Sequence, residues 1–103
     1  LPGPRTGRRN PLSGNASDLM RITFKLYAML SDFLPEPARK ANALALDVEP
    51  GRTVGEVIEA FQLPPGLVHL VLVNGHYVQP GERVTRALAE GDVLAIWPPI
   101  AGG

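Results

Sequence analysis

From Arg21 to Tyr27 apolar and polar residues alternate, with Ile22, Phe24 and Leu26 on one side and Thr23, Lys25 and Tyr27 on the other. A period of two predicts a half-buried strand. Ala28 to Leu34 reads as a short turn or helical piece, closed by Pro35-Glu36-Pro37. Leu44, Leu46 and Val48 alternate again and predict a second strand that ends at Pro50-Gly51. Two strands this close in sequence predict a hairpin with a long connection. Thr53 is then a good helix N-cap, and Glu56 three residues later completes a capping-box signature. Val54, Val57, Ile58 and Phe61 follow at i, i+3, i+4 and i+7, one apolar helical stripe, which Pro64-Pro65-Gly66 stops.

Leu67 to Val73 is a nearly continuous apolar run ending in Asn74-Gly75, a tight-turn signal, after which His76 to Val78 returns as a short strand. Pro80-Gly81 and Glu90-Gly91-Asp92 mark turns around an irregular stretch, and Val93 to Trp97 is the last strand. The order is strand, strand, helix, strand, short strand, strand. A mixed sheet of four to five strands with one main helix packed across it is the plain α+β solution. The first and last strands are expected side by side and parallel, as a crossover connection permits.

One helix covers one face of such a sheet. Along the first two strands the other face is polar or small (Thr23, Lys25, Ala45, Asp47), as a solvated face should be. The later strands differ. If Val71, Val73, Leu94 and Ile96 face the helix, then Leu70, Leu72, Ala95 and Trp97 face away and form an apolar cluster beside the last residues. Exposed apolar patches of that kind mark partner sites, and Trp is a favoured anchor. Cover by the 79–91 loop or by a second copy of the chain is the competing explanation.

Residues 1–19 are rich in Pro, Gly, Asn and Ser and lack an apolar period. They read as a disordered extension or an expression remnant, with Met20 as the candidate natural start and residues 20–97 as the folded domain. Three arginines against Asp18 give this extension a net charge of +2, leaving −2 for the rest of a chain that is neutral overall. No global field therefore recruits nucleic acid or an anionic membrane. Three arginines are also few for a nucleic-acid arm. Cysteine is absent, which excludes disulfides, thiolate metal sites and a cysteine nucleophile, and fits a reducing compartment. No apolar run approaches the roughly 20 residues of a membrane span, and no signal-peptide core opens the sequence, so the expected location is cytoplasmic.

Conventional catalytic groupings are missing. No glycine-rich phosphate loop or dinucleotide fingerprint occurs. His69 and His76 lack a third ligand, so no metal site is expected. Glu56 and Glu59 read as a solvated helix face, and Asp32 has no evident catalytic partner. The chain does not read as an enzyme.

What remains is Trp97-Pro98-Pro99-Ile100-Ala101-Gly102-Gly103. Two prolines remove backbone donors and hold the chain extended, so residues 98–103 are expected to form a flexible tail directed away from the body. Ile100 offers an apolar anchor. Ala101, Gly102 and Gly103 carry so little bulk that a narrow tunnel admits them. A terminal carboxylate has a pKa of about 3.5 and is a poor electrophile when ionised. ATP repairs this by forming an acyl adenylate, which then accepts a nucleophile such as sulfide or persulfide.

The stretch Gly91 to Gly103, with its strand, proline pair and diglycine, resembles the MoaD/ThiS family of ubiquitin-like sulfur carriers. Phe24-Lys25-Leu26-Tyr27-Ala28, with Leu30 and Leu34, is similar to the opening of the MoaD branch, and Val73-Asn74-Gly75 to the family's turn. The resemblance covers residues 21–103. It implies a β-grasp fold, adenylation of Gly103 by a ubiquitin-activating-type enzyme that uses ATP, and a thiocarboxylate at that carbon supplied by a sulfur donor protein. The chain itself would bind no cofactor. The Pro-Pro tail leans toward the small subunit of molybdopterin synthase, whose large subunit would receive the tail. In this reading Gly102 and Gly103 carry the chemistry, and Leu70, Leu72, Ala95, Trp97, Pro98, Pro99, Ile100 and Ala101 bind partners. Ser31 to Pro35 and Leu72 to Gly75 also resemble a ubiquitin-like domain that is found fused to a nuclease-like module and has no diglycine function. Gly102-Gly103 argues for a true carrier.

The rivals are a protein modifier that conjugates to lysines, a carrier for the thiamine or tRNA-thiolation pathways, a pure binding module with an inert tail, and an RNA-binding β-grasp domain. An acidic body with few aromatics makes the last the weakest.

Overall fold

The computed structural model describes residues 19–99. Five strands form one sheet: β1 (Met20–Leu26), β2 (Ala43–Val48), β3 (Leu70–Val73), β4 (His76–Tyr77) and β5 (Val93–Trp97), in the spatial order β2-β1-β5-β3-β4. The β1–β2 pair is antiparallel, with Ile22 opposite Leu46. β1 and β5 are parallel, with Phe24 beside Leu94 and Leu26 beside Ile96. The expected α+β architecture, with its parallel pairing of first and last strands, is therefore present.

The helices are α1 (Glu36–Arg39) and α2 (Val54–Ala60). The α2 capping box is complete: the Thr53 hydroxyl accepts from the Glu56 N–H at 3.2 Å, and the Glu56 carboxylate accepts from the Thr53 N–H at 2.9 Å. Val54 and Val57 are buried, while Ile58 and Phe61 pack partly buried against the core. Phe61 meets Phe24 with ring centroids 4.7 Å apart. Gly55 takes the one helical position where the following loop crosses closely. Its N–H donates to the Arg83 carbonyl at 2.8 Å, and a Cβ there would stand 3.1 Å from the same oxygen.

Three boundaries differ from the sequence expectation. The helix ends at Ala60, well before Pro64. Gln62 turns into the left-handed region (φ 56°), its N–H donates to Glu59, and the Leu63 N–H donates to Ile58. This pair of bonds is the Schellman closure, with glutamine where glycine is usual and buried Leu63 locking it apolarly. Next, the apolar run from Leu67 is not all strand. Pro65–Leu67 forms a 3-10 turn, and pairing begins at Leu70. Finally, Pro35-Glu36-Pro37 does not simply close the preceding piece, a 3-10 helix over Ala28–Phe33, but leads into α1. Proline is tolerated in a helix's first turn because the N–H it lacks would have no partner there.

The core lies between the helix-side face of the sheet and the elements laid over it. Ile22, Phe24, Leu26, Val71, Val73, Leu94 and Ile96 supply the sheet side and are all essentially inaccessible.

An open apolar sheet face beside the exit of the last strand

The residues that alternate with this core line the uncovered face. Leu70 stands opposite Trp97 and Leu72 opposite Ala95 across β3 and β5, with Lys25 beside Ala95 across β1 and β5. The sequence-predicted quartet is thus brought together. Leu70, Leu72 and Trp97 are half-buried, whereas Ala95 is only 7% exposed and forms the floor between its neighbours.

Two aromatic residues not included in the predicted cluster join it. Tyr27 stacks on Trp97 with centroids 4.3 Å apart and planes 7° from parallel. Its N–H donates to the Ile96 carbonyl, which fixes it at the end of β1 alongside β5. Tyr77, 53% exposed, lies opposite Leu72 on β4. Tyr27 falls on the outward side of β1 in the alternation, but only the parallel pairing sets it against a residue 70 positions away. The face therefore carries a stacked aromatic pair and two leucines, with Lys25 toward β1.

The start of β5 is held by a polar clamp. Asn74 and Gly75 both have positive φ (53° and 83°), the geometry of the tight turn that suits right-twisted strands. The buried Asp92 carboxylate accepts from Asn74 Nδ2 at 2.8 Å and from the Ala89 N–H at 2.8 Å. Asn74 Oδ1 in turn accepts from the Val93 N–H at 2.9 Å. A buried carboxylate would be costly alone, and here both oxygens have donors.

At the other end, the Trp97 carbonyl accepts from the His69 N–H at 3.0 Å, the last bond before the prolines. Pro98 is buried against the body and Pro99 is exposed, so the chain leaves the domain one residue later than the proline pair alone implies. Ile100, Ala101, Gly102 and Gly103 lie outside the described residues, as do residues 1–18. Among the described residues no group of acidic, histidine or cysteine side chains is arranged to hold a metal ion, and no helix is long and apolar enough to cross a membrane. His69, His76, Asp32, Glu56 and Glu59 are all exposed.

A five-stranded mixed sheet with its first and last strands parallel at the centre and one main helix across a single face defines a ubiquitin-like β-grasp protein. The family model for the Mut7-C ubiquitin matches residues 19–101, and the chain belongs to that family. Gly102 and Gly103 lie beyond the matched residues. Among solved structures, the HVO 2177 protein of Haloferax volcanii is 23% identical, with a TM-score of 0.65 over 84% of this chain and 89% of that one. SAMP1 from Haloferax volcanii is 24% identical, with a TM-score of 0.57 over 81% and 99%. A putative molybdopterin converting factor, subunit 1, from Pyrococcus furiosus is 18% identical, with a TM-score of 0.58 over 79% and 99%. These likenesses establish the fold. No curated protein matches the sequence.

Proposed function

We propose that the chain is a ubiquitin-like sulfur carrier whose C-terminal Gly103 is charged by an ATP-dependent activating enzyme while the open sheet face docks on the partner. The observation that carries this reading is a coincidence of position. The central strand β5 runs past the apolar face of Leu70, Leu72, Tyr27 and Trp97, and leads through Pro98 and Pro99 into Ile100-Ala101-Gly102-Gly103. A partner gripping that face would have the slender segment at hand. The likeness in fold to a protein described as a molybdopterin converting factor subunit agrees with this reading.

The chemistry requires no catalytic side chain from the carrier. A Gly103 carboxylate oxygen attacks the α-phosphorus of ATP, pyrophosphate leaves, and the acyl adenylate forms. The terminal sulfur of a donor protein's persulfide then attacks the acyl carbon and AMP leaves. A thiol reductant cleaves the resulting acyl disulfide, freeing the thiocarboxylate and leaving the donor sulfur in a disulfide with the reductant. Small residues at 101–103 let the activating enzyme's backbone approach the reacting carbon closely. The acceptor in this reading is the pterin precursor of the molybdenum cofactor, reached when the tail enters the large subunit of a molybdopterin synthase.

Intact-mass analysis of the protein purified from its own cells tests the reading. The expected species ends at Gly103 and carries one sulfur in place of one oxygen. A chain that continues past Gly103, or one that stays unmodified and forms no ATP-dependent adduct with any activating enzyme, overturns it. Conjugates of higher mass that vanish when Gly103 is deleted replace the carrier by a protein modifier.

A further inference from the structure

The opposite edge of the sheet carries a second surface, with β1 between it and β5. β2 is an edge strand with β1 on one side only. The phase of its hydrogen bonds follows from its neighbour. The Leu26 N–H donates to the Asn42 carbonyl, whereas the Thr23 and Tyr27 N–H groups donate to Asp92 and Ile96 on the β5 side. Even-numbered residues of β1 therefore serve β2, and Leu44, Leu46 and Val48 answer them. By the alternation of an antiparallel ladder, the N–H and C=O groups of Ala43, Ala45 and Asp47 point outward, and among the described residues nothing pairs with them. An edge of this length is usually blunted by charge, proline or a bulge. Here Asp47 supplies the one charge, and Arg21 Nε already holds it at 2.6 Å.

Beside this edge runs a groove of about 260 Å³ between β2 and α2, floored by Leu46, Val57, Ala60 and Phe61. Its rim is acidic. Of its acidic lining, Asp47 is paired with Arg21 and Glu49 with Arg52 at 3.1 Å, but Glu56 on α2 has no cationic partner among the described residues. A strand added to β2 would lie roughly 4.8 Å outside it and send alternate side chains toward the groove.

We propose that the β2 edge and this groove form a second docking site that takes an extended peptide of a partner protein, an aliphatic residue flanked by Lys or Arg, as a sixth strand. The outward groups of Ala43, Ala45 and Asp47 supply the backbone ladder, the groove takes the aliphatic side chain, and Glu56 on its rim selects a basic flank. The site does not depend on Gly103 or on the open sheet face, so the two surfaces can be occupied together.

The test is a titration of the isotope-labelled full chain with a short, end-blocked synthetic peptide of alternating Val and Ile between flanking lysines, followed by amide NMR. Saturable shifts are expected at Ala43, Ala45, Asp47, Val57 and Ala60, with slowed hydrogen exchange at the first three and weaker binding as salt rises. Replacing the peptide's lysines by Glu should cost about tenfold in affinity. Ala60→Arg, which fills the groove from an exposed helix position, should cost at least about tenfold while leaving the circular dichroism spectrum unchanged. Glu56→Gln, which keeps an acceptor for the Thr53 N–H while removing the charge, should weaken binding several-fold at low salt only. Shifts confined to the Trp97 face overturn the proposal. So does protection of the three amides in the free monomer, which would mean that the chain's own N-terminal segment fills the site. Protection that grows with protein concentration overturns it too, in favour of a second copy.

Discussion

Asp92→Ala removes the acceptor that joins the Asn74-Gly75 turn to the start of β5. The carboxylate receives two bonds, from the Ala89 N–H and from Asn74 Nδ2, both at 2.8 Å, and the residue is 7% exposed. A hydrogen bond to a charged group contributes about 1.5–3 kcal/mol, and a donor left buried costs a similar amount. Asn74 and Ala89 are both exposed, so the two donors can recover part of their loss from water, which holds the cost to the lower end of that range for each bond. The expected loss is therefore about 3 kcal/mol, a fifth or more of a small domain's roughly 5–15 kcal/mol. At about 4–8 °C per kcal/mol for a domain of this size, the melting temperature should fall by roughly 12–24 °C. Urea denaturation followed by the fluorescence of Trp97, the single tryptophan, measures the free energy directly. Asn74→Ala should overlap with it, the double variant losing less than the sum, because both residues belong to one brace. A loss for Asp92→Ala below about 1 kcal/mol, or strict additivity with Asn74→Ala, would refute the argument that this clamp holds β5 in place.

Thr53→Ala breaks the α2 capping box and should cost about 1 kcal/mol by denaturant titration, with Thr53→Ser restoring most of it. Trp97→Ala loses the stack on Tyr27, worth about 1 kcal/mol, plus part of a half-buried surface. Calorimetry against the cell's own activating enzyme should show a larger loss, about 2 kcal/mol or more in binding. A melting-temperature collapse without any binding defect in the folded fraction would show that Trp97 is purely structural. Gly103→Ala should abolish ATP–pyrophosphate exchange by that enzyme and leave thermal unfolding unchanged; full exchange activity would contradict a tunnel that admits only the smallest residue.

Much of the domain was legible one segment at a time. The alternation of Ile22, Phe24 and Leu26, the Thr53–Glu56 box and the Asn74-Gly75 turn are each written within a few neighbouring residues, and each is present in the fold. The apolar quartet of Leu70, Leu72, Ala95 and Trp97 followed from the same period once a single helix was assigned to one face. Local signals misled where two of them competed. The proline pair at 64–65 looked like the helix stop, but Gln62 reached the left-handed region first because Leu63 could be buried behind it.

Alternation along a strand determines which side chains share a face, because successive residues must point to opposite sides. It says nothing about which strand lies alongside. That choice belongs to the tertiary structure. It sets Tyr27 on Trp97 through the parallel β1–β5 pair and Asp92 against Asn74 across the sheet. It also leaves β2 at an edge with its outward backbone groups beside the α2 groove. These contacts join residues far apart in the chain, and their partners are chosen by the packing of the whole sheet against its helix rather than by any local period.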